Sequence, residues 1–403
     1  MLFISQRAKN IAPSPIRKFE SLISEIEKKG VKIHKLHIGN PDLTAPKEFF
    51  SAIKKYKNKQ LAYAPSSGIN EHLEAWIKYY SDFGIKLAKE NILPTVGGSE
   101  AILFAIMAVA DTEEEIIIFE PFFSSYKGFA TMAGVKLIPI PLNYKKKSKP
   151  LSESFIQNKI AKKTKAIIII NPDNPTGKVW NKKELDLILK IAKKNNLFVI
   201  ADETYREIVF DGKATSLLTK KNAWENVIVV DSISKRFSVP GARIGCVASF
   251  NKAIMRAVFK FATMRLSVAT LEQIGAIPLL LNSYRYSQKI VAEYKKRRDV
   301  VVEILNDIPN IEYSMPQGAF YLIVKLPIKN VDDFIIFLLT KFRYKGATVM
   351  VTPMENFYMS ENSGLNEIRI AYVLKLAELR KAMRIFKIGL KSYLHERQTT
   401  SNK

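Results

Sequence analysis

Five short apolar runs in the middle of this chain constrain its fold more than any other feature. They lie at 116–119, 135–140, 165–170, 197–201 and 227–231, and three of them are dense in Val and Ile. Few polar residues interrupt them, so they read as strands buried on both faces of a sheet. Helical patterns stand between them, near 124–133 and over 182–195. Strand and helix in alternation predict an α/β chain with a mainly parallel sheet flanked by helices.

Beyond residue 286 the pattern changes. A charged amphipathic helix is expected over 287–307, followed by strand-like runs near 319–326, 347–351 and 368–373. A helix is expected at 331–342, and another closes the chain. The reading is a large domain over 46–285 and a smaller α+β domain built from 1–45 and 286–403. The 403 residues are enough for two cores.

Open α/β sheets bind ligands beyond the carboxyl ends of their strands, and three of the runs end in polar motifs. The first is Asn171-Pro172-Asp173-Asn174-Pro175-Thr176-Gly177, and the second is Asp202-Glu203-Thr204-Tyr205. The third is Ser232-Ile233-Ser234-Lys235, followed by Arg243 in Pro240-Gly241-Ala242-Arg243-Ile244-Gly245. Singly, each has a plain reading. A lysine after a strand is ordinarily a solvated surface residue, Asp202 suits a helix cap, and Asn, Pro and Gly make turns.

Together they offer an amine, a guanidinium, a carboxylate, a phenol and an amide along one edge of one sheet. An amine near an arginine gives up its proton more readily, as an imine-forming lysine must. A carboxylate facing a pyridine nitrogen keeps that nitrogen protonated. An arginine fork suits a phosphate dianion. Gly97-Gly98-Ser99, ahead of a helical pattern, adds N–H groups and a hydroxyl for a phosphate.

In this combination and order the chain resembles fold type I pyridoxal-phosphate enzymes, specifically the class I/II aminotransferase family of the aspartate aminotransferase kind. The resemblance runs from Asn10-Ile11-Ala12-Pro13-Ser14-Pro15 to the closing helix. It implies pyridoxal 5'-phosphate as cofactor. Lys235 is then the Schiff-base lysine, Asp202 pairs with the pyridine nitrogen, and Tyr205 and Asn174 contact the ring hydroxyl. Gly98, Ser99, Ser232 and Arg243 hold the phosphate.

The resemblance further implies that Arg369, in Asn366-Glu367-Ile368-Arg369-Ile370-Ala371, grips the substrate α-carboxylate. Backbone at Gly39, in His37-Ile38-Gly39-Asn40-Pro41-Asp42, closes over the substrate. Phe123 stacks on the ring where the family usually has Trp, and Tyr63 reaches the phosphate of the neighbouring subunit in a homodimer. Met354 departs from the pattern. The family usually has Pro-Gly in this late loop, and Met at a positive φ is strained.

The implied reaction is a ping-pong transfer of an amino group between an α-amino acid and a 2-oxo acid, with Lys235 moving the α-proton. Aspartate or glutamate is the first choice of substrate. Arg265 is a candidate reader of a distal carboxylate, with a helix-end arginine as the equally plain reading. Aromatic amino acids and a β-lyase reaction stand as alternatives, because such motifs define cofactor handling better than outcome. A cofactor-binding DNA regulator is the reading from another class. It needs an added helix-turn-helix domain, and about 45 residues precede the large domain.

The net charge of +25 is spread along the chain as scattered lysines. The two densest clusters, Lys145-Lys146-Lys147 and Lys295-Lys296-Arg297-Arg298, read as a solvated loop and a solvated helix face. With no nucleic-acid-binding motif beside them, no nucleic-acid partner is expected. The charge is expected to draw in anionic substrates. The apolar start Met1-Leu2-Phe3-Ile4 is too short for a signal peptide, and no run reaches the length of a membrane span. No membrane partner and a cytoplasmic location are expected. The single cysteine, Cys246, makes no intrachain disulfide and reads as a small buried hydrophobe. His34 and His37 fall on opposite faces of a strand, so no metal site is expected.

Overall fold

The computed structural model describes residues 2–11, 14–142, 144–145 and 150–401. Ala12 and Pro13 of the N-terminal motif, and Lys146 and Lys147 of the first lysine cluster, lie outside the described residues. The strands are β1 (Lys32–Lys35), β2 (Ile92–Val96), β3 (Glu115–Glu120), β4 (Lys136–Pro141), β5 (Thr164–Ile170), β6 (Phe198–Asp202) and β7 (Val227–Ser232). Then come β8 (Ile244–Ala248), β9 (Glu312–Tyr313), β10 (Tyr321–Lys325), β11 (Ala347–Met350), β12 (Thr352–Pro353) and β13 (Glu367–Ala371).

The central sheet has the order β2-β8-β7-β6-β5-β3-β4. Strands β3 to β7 pair in parallel, and β8 runs antiparallel to both β7 and β2. Side chains alternate across a strand, and here both faces are covered. Ile167 and Ile169 of β5 enter one core, while Ala166, Ile168 and Ile170 enter the other. Val229 and Val230 of β7 divide in the same way. That is why these runs carry so little polarity. The sheet is the mainly parallel one of the α/β reading, with β2 and β8 added at one side. Pro94 sits inside β2, which its edge position tolerates.

A third core gathers the two ends of the chain. Phe19, Ile23 and Leu36 pack with Tyr294 and Val301 of the helix Ser283–Asn306, and with Phe320, Ile370 and Phe386. Two small sheets frame it: β1 pairs in parallel with β11, and β12-β13-β10-β9 form an antiparallel set. Tyr205, Ile208 and Phe210, which follow β6, enter this core too. The end of β6 is therefore where the central sheet meets the terminal core.

Two expectations are corrected. The Lys295–Arg298 run is not a solvated face throughout, because Arg297 is 2% exposed and Arg298 is buried. Arg297 Nη1 donates to Asp42 at 2.5 Å and Nε to Glu293 at 2.8 Å. Arg298 lies over the Phe210 ring. Long cationic side chains can bury their stems when the heads find partners, and Asp42 is far away in sequence. Met354 is unstrained, with φ −99°. It is wholly buried in a small cluster with Ile323 and Phe357, so here Met serves as packing. Cys246 is buried in β8, as expected. Among the described residues, no helix is long and apolar enough to cross a membrane.

Candidate active site

The three polar motifs converge on one cavity of about 330 Å³ at the carboxyl ends of β5, β6 and β7. Lys235 and Asp202 line it with Tyr205, Asn174, Ser232 and Arg243; so do Gly98, Ser99 and Phe123, and Gly39 and Arg369 from the terminal core. Tyr63 does not. It is 82% exposed and lines a separate hollow beside Thr270.

Lys235 follows β7 on the short helix Ile233–Arg236, which Ser232 caps through the Ser234 N–H. Its Nζ donates to the Gly39 carbonyl at 2.9 Å. Removal from water lowers its pKa to about 8, and Arg369 and then Arg243 push the same way. The arginine anticipated from sequence, Arg243, is thus the smallest of the three causes.

Asp202 ends β6 and accepts from the Thr204 N–H at 3.0 Å and from the Tyr126 hydroxyl at 3.0 Å. Burial raises its pKa, and the hydrogen bonds from Thr204 and Tyr126 pull it back. Glu203 points elsewhere: it accepts from the Leu217 N–H and faces Arg206, a structural role. Phe123 meets Tyr126 edge-on at 6.4 Å. The Tyr205 hydroxyl lies 3.0 Å from that of Tyr321, and both rings are buried.

Arg369 reaches in from β13 and is 1% exposed. Nη1 donates to Asn174 Oδ1 at 3.1 Å and Nη2 to the His37 carbonyl at 2.9 Å. Its Nε has no partner, and no carboxylate pairs with it among the described residues. A buried cation without an anion is costly, so the geometry suits an incoming carboxylate. Gly39 is a glycine because Tyr321 crowds it: a Cβ there would sit on the phenol.

An anion cradle lies opposite. The helix Gly97–Val109 starts after β2 with Gly97 at φ +71°. Its first N–H groups have no intrahelical partner. Glu100 takes the Val96 N–H, and Gly98 and Ser99 of the first turn line the cavity. A Cβ at Gly97 would collide with the Arg243 guanidinium. One guanidinium, the Ser232 and Ser234 hydroxyls and a helix start make a donor set for a phosphate. The donors and the carboxylate therefore fit a phosphorylated pyridine aldehyde, with Lys235 as its amine partner.

Sequence reasoning did not select Tyr126, Thr204, Tyr321 or Arg17, all of which bond Asp202 or Tyr205 or line the cavity. Tyr126 gave no clear signal, since a phenol on the buried face of the helix Ser125–Ala133 reads as core. Tyr321 had none, since an aromatic in an apolar strand reads as core.

The family model described as aminotransferase class I and II matches residues 31–386. An aspartate aminotransferase of Pyrococcus horikoshii is 32% identical, over 94% of this chain and 95% of its own length. Aromatic-amino-acid aminotransferase 2 of Thermococcus litoralis is 30% identical, over 94% and 96%. The solved alanine aminotransferase of Pyrococcus furiosus superposes with a TM-score of 0.87 at 28% identity, covering 97% of this chain and all of that one. With a lysine, an aspartate and an anion cradle gathered at strand ends, and these likenesses running end to end, the chain belongs to the aminotransferase class I and II family.

Proposed function

We propose that this aminotransferase binds pyridoxal 5'-phosphate in the cavity around Lys235 and works first on dicarboxylic amino acids such as aspartate or glutamate, with a 2-oxo acid as acceptor. The observation that carries the reading is the meeting of Lys235, Asp202, Arg243 and Arg369 in one cavity. When bound, pyridoxal phosphate supplies a carbonyl carbon to take up the amine and a ring that spreads the electrons of the broken Cα–H bond.

Each residue then has a task. Lys235 anchors the cofactor, and its amine, near neutrality, takes the proton from the substrate Cα and returns it on the far side of the exchange. Asp202, steadied by Tyr126 and Thr204, holds a proton on the ring nitrogen. Tyr205 and Asn174 meet the ring hydroxyl, and Phe123 covers one ring face. Gly98, Ser99, Ser232 and Arg243 hold the phosphate. Arg369 binds the α-carboxylate in a two-pronged grip through its free Nε and a spare Nη proton. That grip orients the Cα–H bond toward Lys235.

The protein acts as a homodimer in this reading, with the exposed Tyr63 completing the phosphate site of the second copy. The test is the visible spectrum of protein reconstituted with pyridoxal phosphate. A visible band present in the wild type and lost in Lys235→Ala is expected. A colourless reconstituted wild type would sink the proposal.

A further inference from the structure

The cavity is lined by four cations, Lys235, Arg243, Arg369 and Arg17, and among its described lining residues Asp202 is the only acid. Three of the cations have work in the reading above: one amine, one phosphate clamp, one α-carboxylate grip. Asp202 is matched by the ring nitrogen. Arg17 is left over, a positive charge at the cavity with no anion assigned to it.

Arg17 ends the short turn Pro15–Arg17. Its guanidinium is exposed and has no hydrogen-bond or ion-pair partner among the described residues. Its neighbours, in contrast, are committed. Pro15 and Phe19 are buried, Lys18 pairs with Asp332, and the turn packs against β12. The backbone is therefore fixed while the Arg17 guanidinium is presented to the cavity. Ile16 and Ile38 line the same region, so the cation is set beside apolar walls. A short methylene chain ending in an anion matches that surface: apolar contact for the carbons, a guanidinium fork for the end.

The other candidate for this task, Arg265, is tied down within its own chain. Its Nε donates to Glu100 Oε1 at 3.2 Å and Nη2 to the Pro94 carbonyl at 3.2 Å. It does not line the cavity.

We propose that Arg17 binds the distal carboxylate of a dicarboxylic substrate, an amino diacid or its 2-oxo diacid, from the same subunit that holds that substrate's α-carboxylate on Arg369. This rests on the aminotransferase reading above and supplies the residue that sets its substrate class.

The experiment uses the reconstituted holoenzyme and its Arg17→Gln, Arg17→Lys and Arg265→Gln variants. Two quantities are read: kcat/KM for aspartate relative to alanine, and the Kd of succinate relative to butyrate. Loss of a charge-assisted hydrogen bond is worth roughly 10- to 100-fold. Arg17→Gln should lower the aspartate preference and weaken succinate by about that factor, through KM rather than kcat. Arg17→Lys should restore part of it, and Arg265→Gln should leave both ratios in place. Equal losses for aspartate and alanine would show a merely structural role and overturn the proposal. Unchanged ratios in Arg17→Gln, or their loss in Arg265→Gln instead, would also overturn it. A wild type that converts alanine or aromatic amino acids but no diacid overturns the Arg17 assignment and leaves aminotransfer standing. A wild type that converts no amino acid overturns both.

Discussion

At the scale of single residues, Lys235 carries a conflict between folding and chemistry. Its ammonium is half-buried in the cavity and flanked by two guanidinium groups, so the folded protein disfavours its charged form and its pKa falls to about 8. The unfolded chain keeps the ordinary lysine value, so it binds more protons between the two values, and cofactor-free stability rises with pH in that window. The penalty is fully present below pH 8 and gone above the unfolded pKa. Lys235→Met removes it. Urea melts of the cofactor-free proteins at pH 7 and pH 10 should therefore show the variant's advantage shrinking with pH, by on the order of 3 kcal/mol. A difference independent of pH would contradict the lowered pKa. Lys235, Asp202, Asn174 and Arg243 were legible in the sequence because each polar group follows an apolar run that gives its address. Tyr126 and Tyr321 were not, because a buried phenol looks like core until its hydroxyl has a partner.

At the scale of elements, the strands with dense β-branched residues declared themselves, and β2 and β8 did not. Pro94 interrupts the first and Gly245 with Cys246 dilutes the second, so neither has the composition of a buried strand. Their place came from pairing, Pro94 opposite Cys246, which a linear reading does not contain. The Lys295–Arg298 run misled for the same reason: Asp42 neutralises Arg297 from a distant segment. The loop after β12 carries its own test. Met354 is a wholly buried side chain in a non-strained backbone, so Met354→Ala should cost about 2–5 kcal/mol by urea denaturation. A loss under about 0.5 kcal/mol, the size of an ordinary surface change, would mean that the side chain is not packed as described.

At the scale of the whole molecule, the cavity lies between the central sheet and the terminal core, and both contribute to it. Lys235 bonds Gly39 and Asn174 bonds Arg369 across that junction. Nearby, Glu120 receives the Met359 and Ser360 N–H groups, a further tie between the two parts. The net charge of +25 bears on the same scale. A strongly positive molecule concentrates anions near its cleft, and salt screens that over about 10 Å at 0.1 M. KM for a 2-oxo diacid should rise several-fold from 0.01 to 0.2 M salt, more steeply than KM for pyruvate. Equal slopes would mean that the charge serves no substrate.

The central claim is that this cavity exchanges an amino group through Lys235, and one measurement tests it most directly. The reconstituted wild type is mixed with a single amino acid and no acceptor, and the visible band and the released products are followed together. With aspartate or glutamate, the band should convert once while one equivalent of the matching 2-oxo acid appears, and adding a different 2-oxo acid should restore it. Lys235→Ala should do neither. Continuous release of ammonia with pyruvate, or a band that no amino acid changes, would contradict the account.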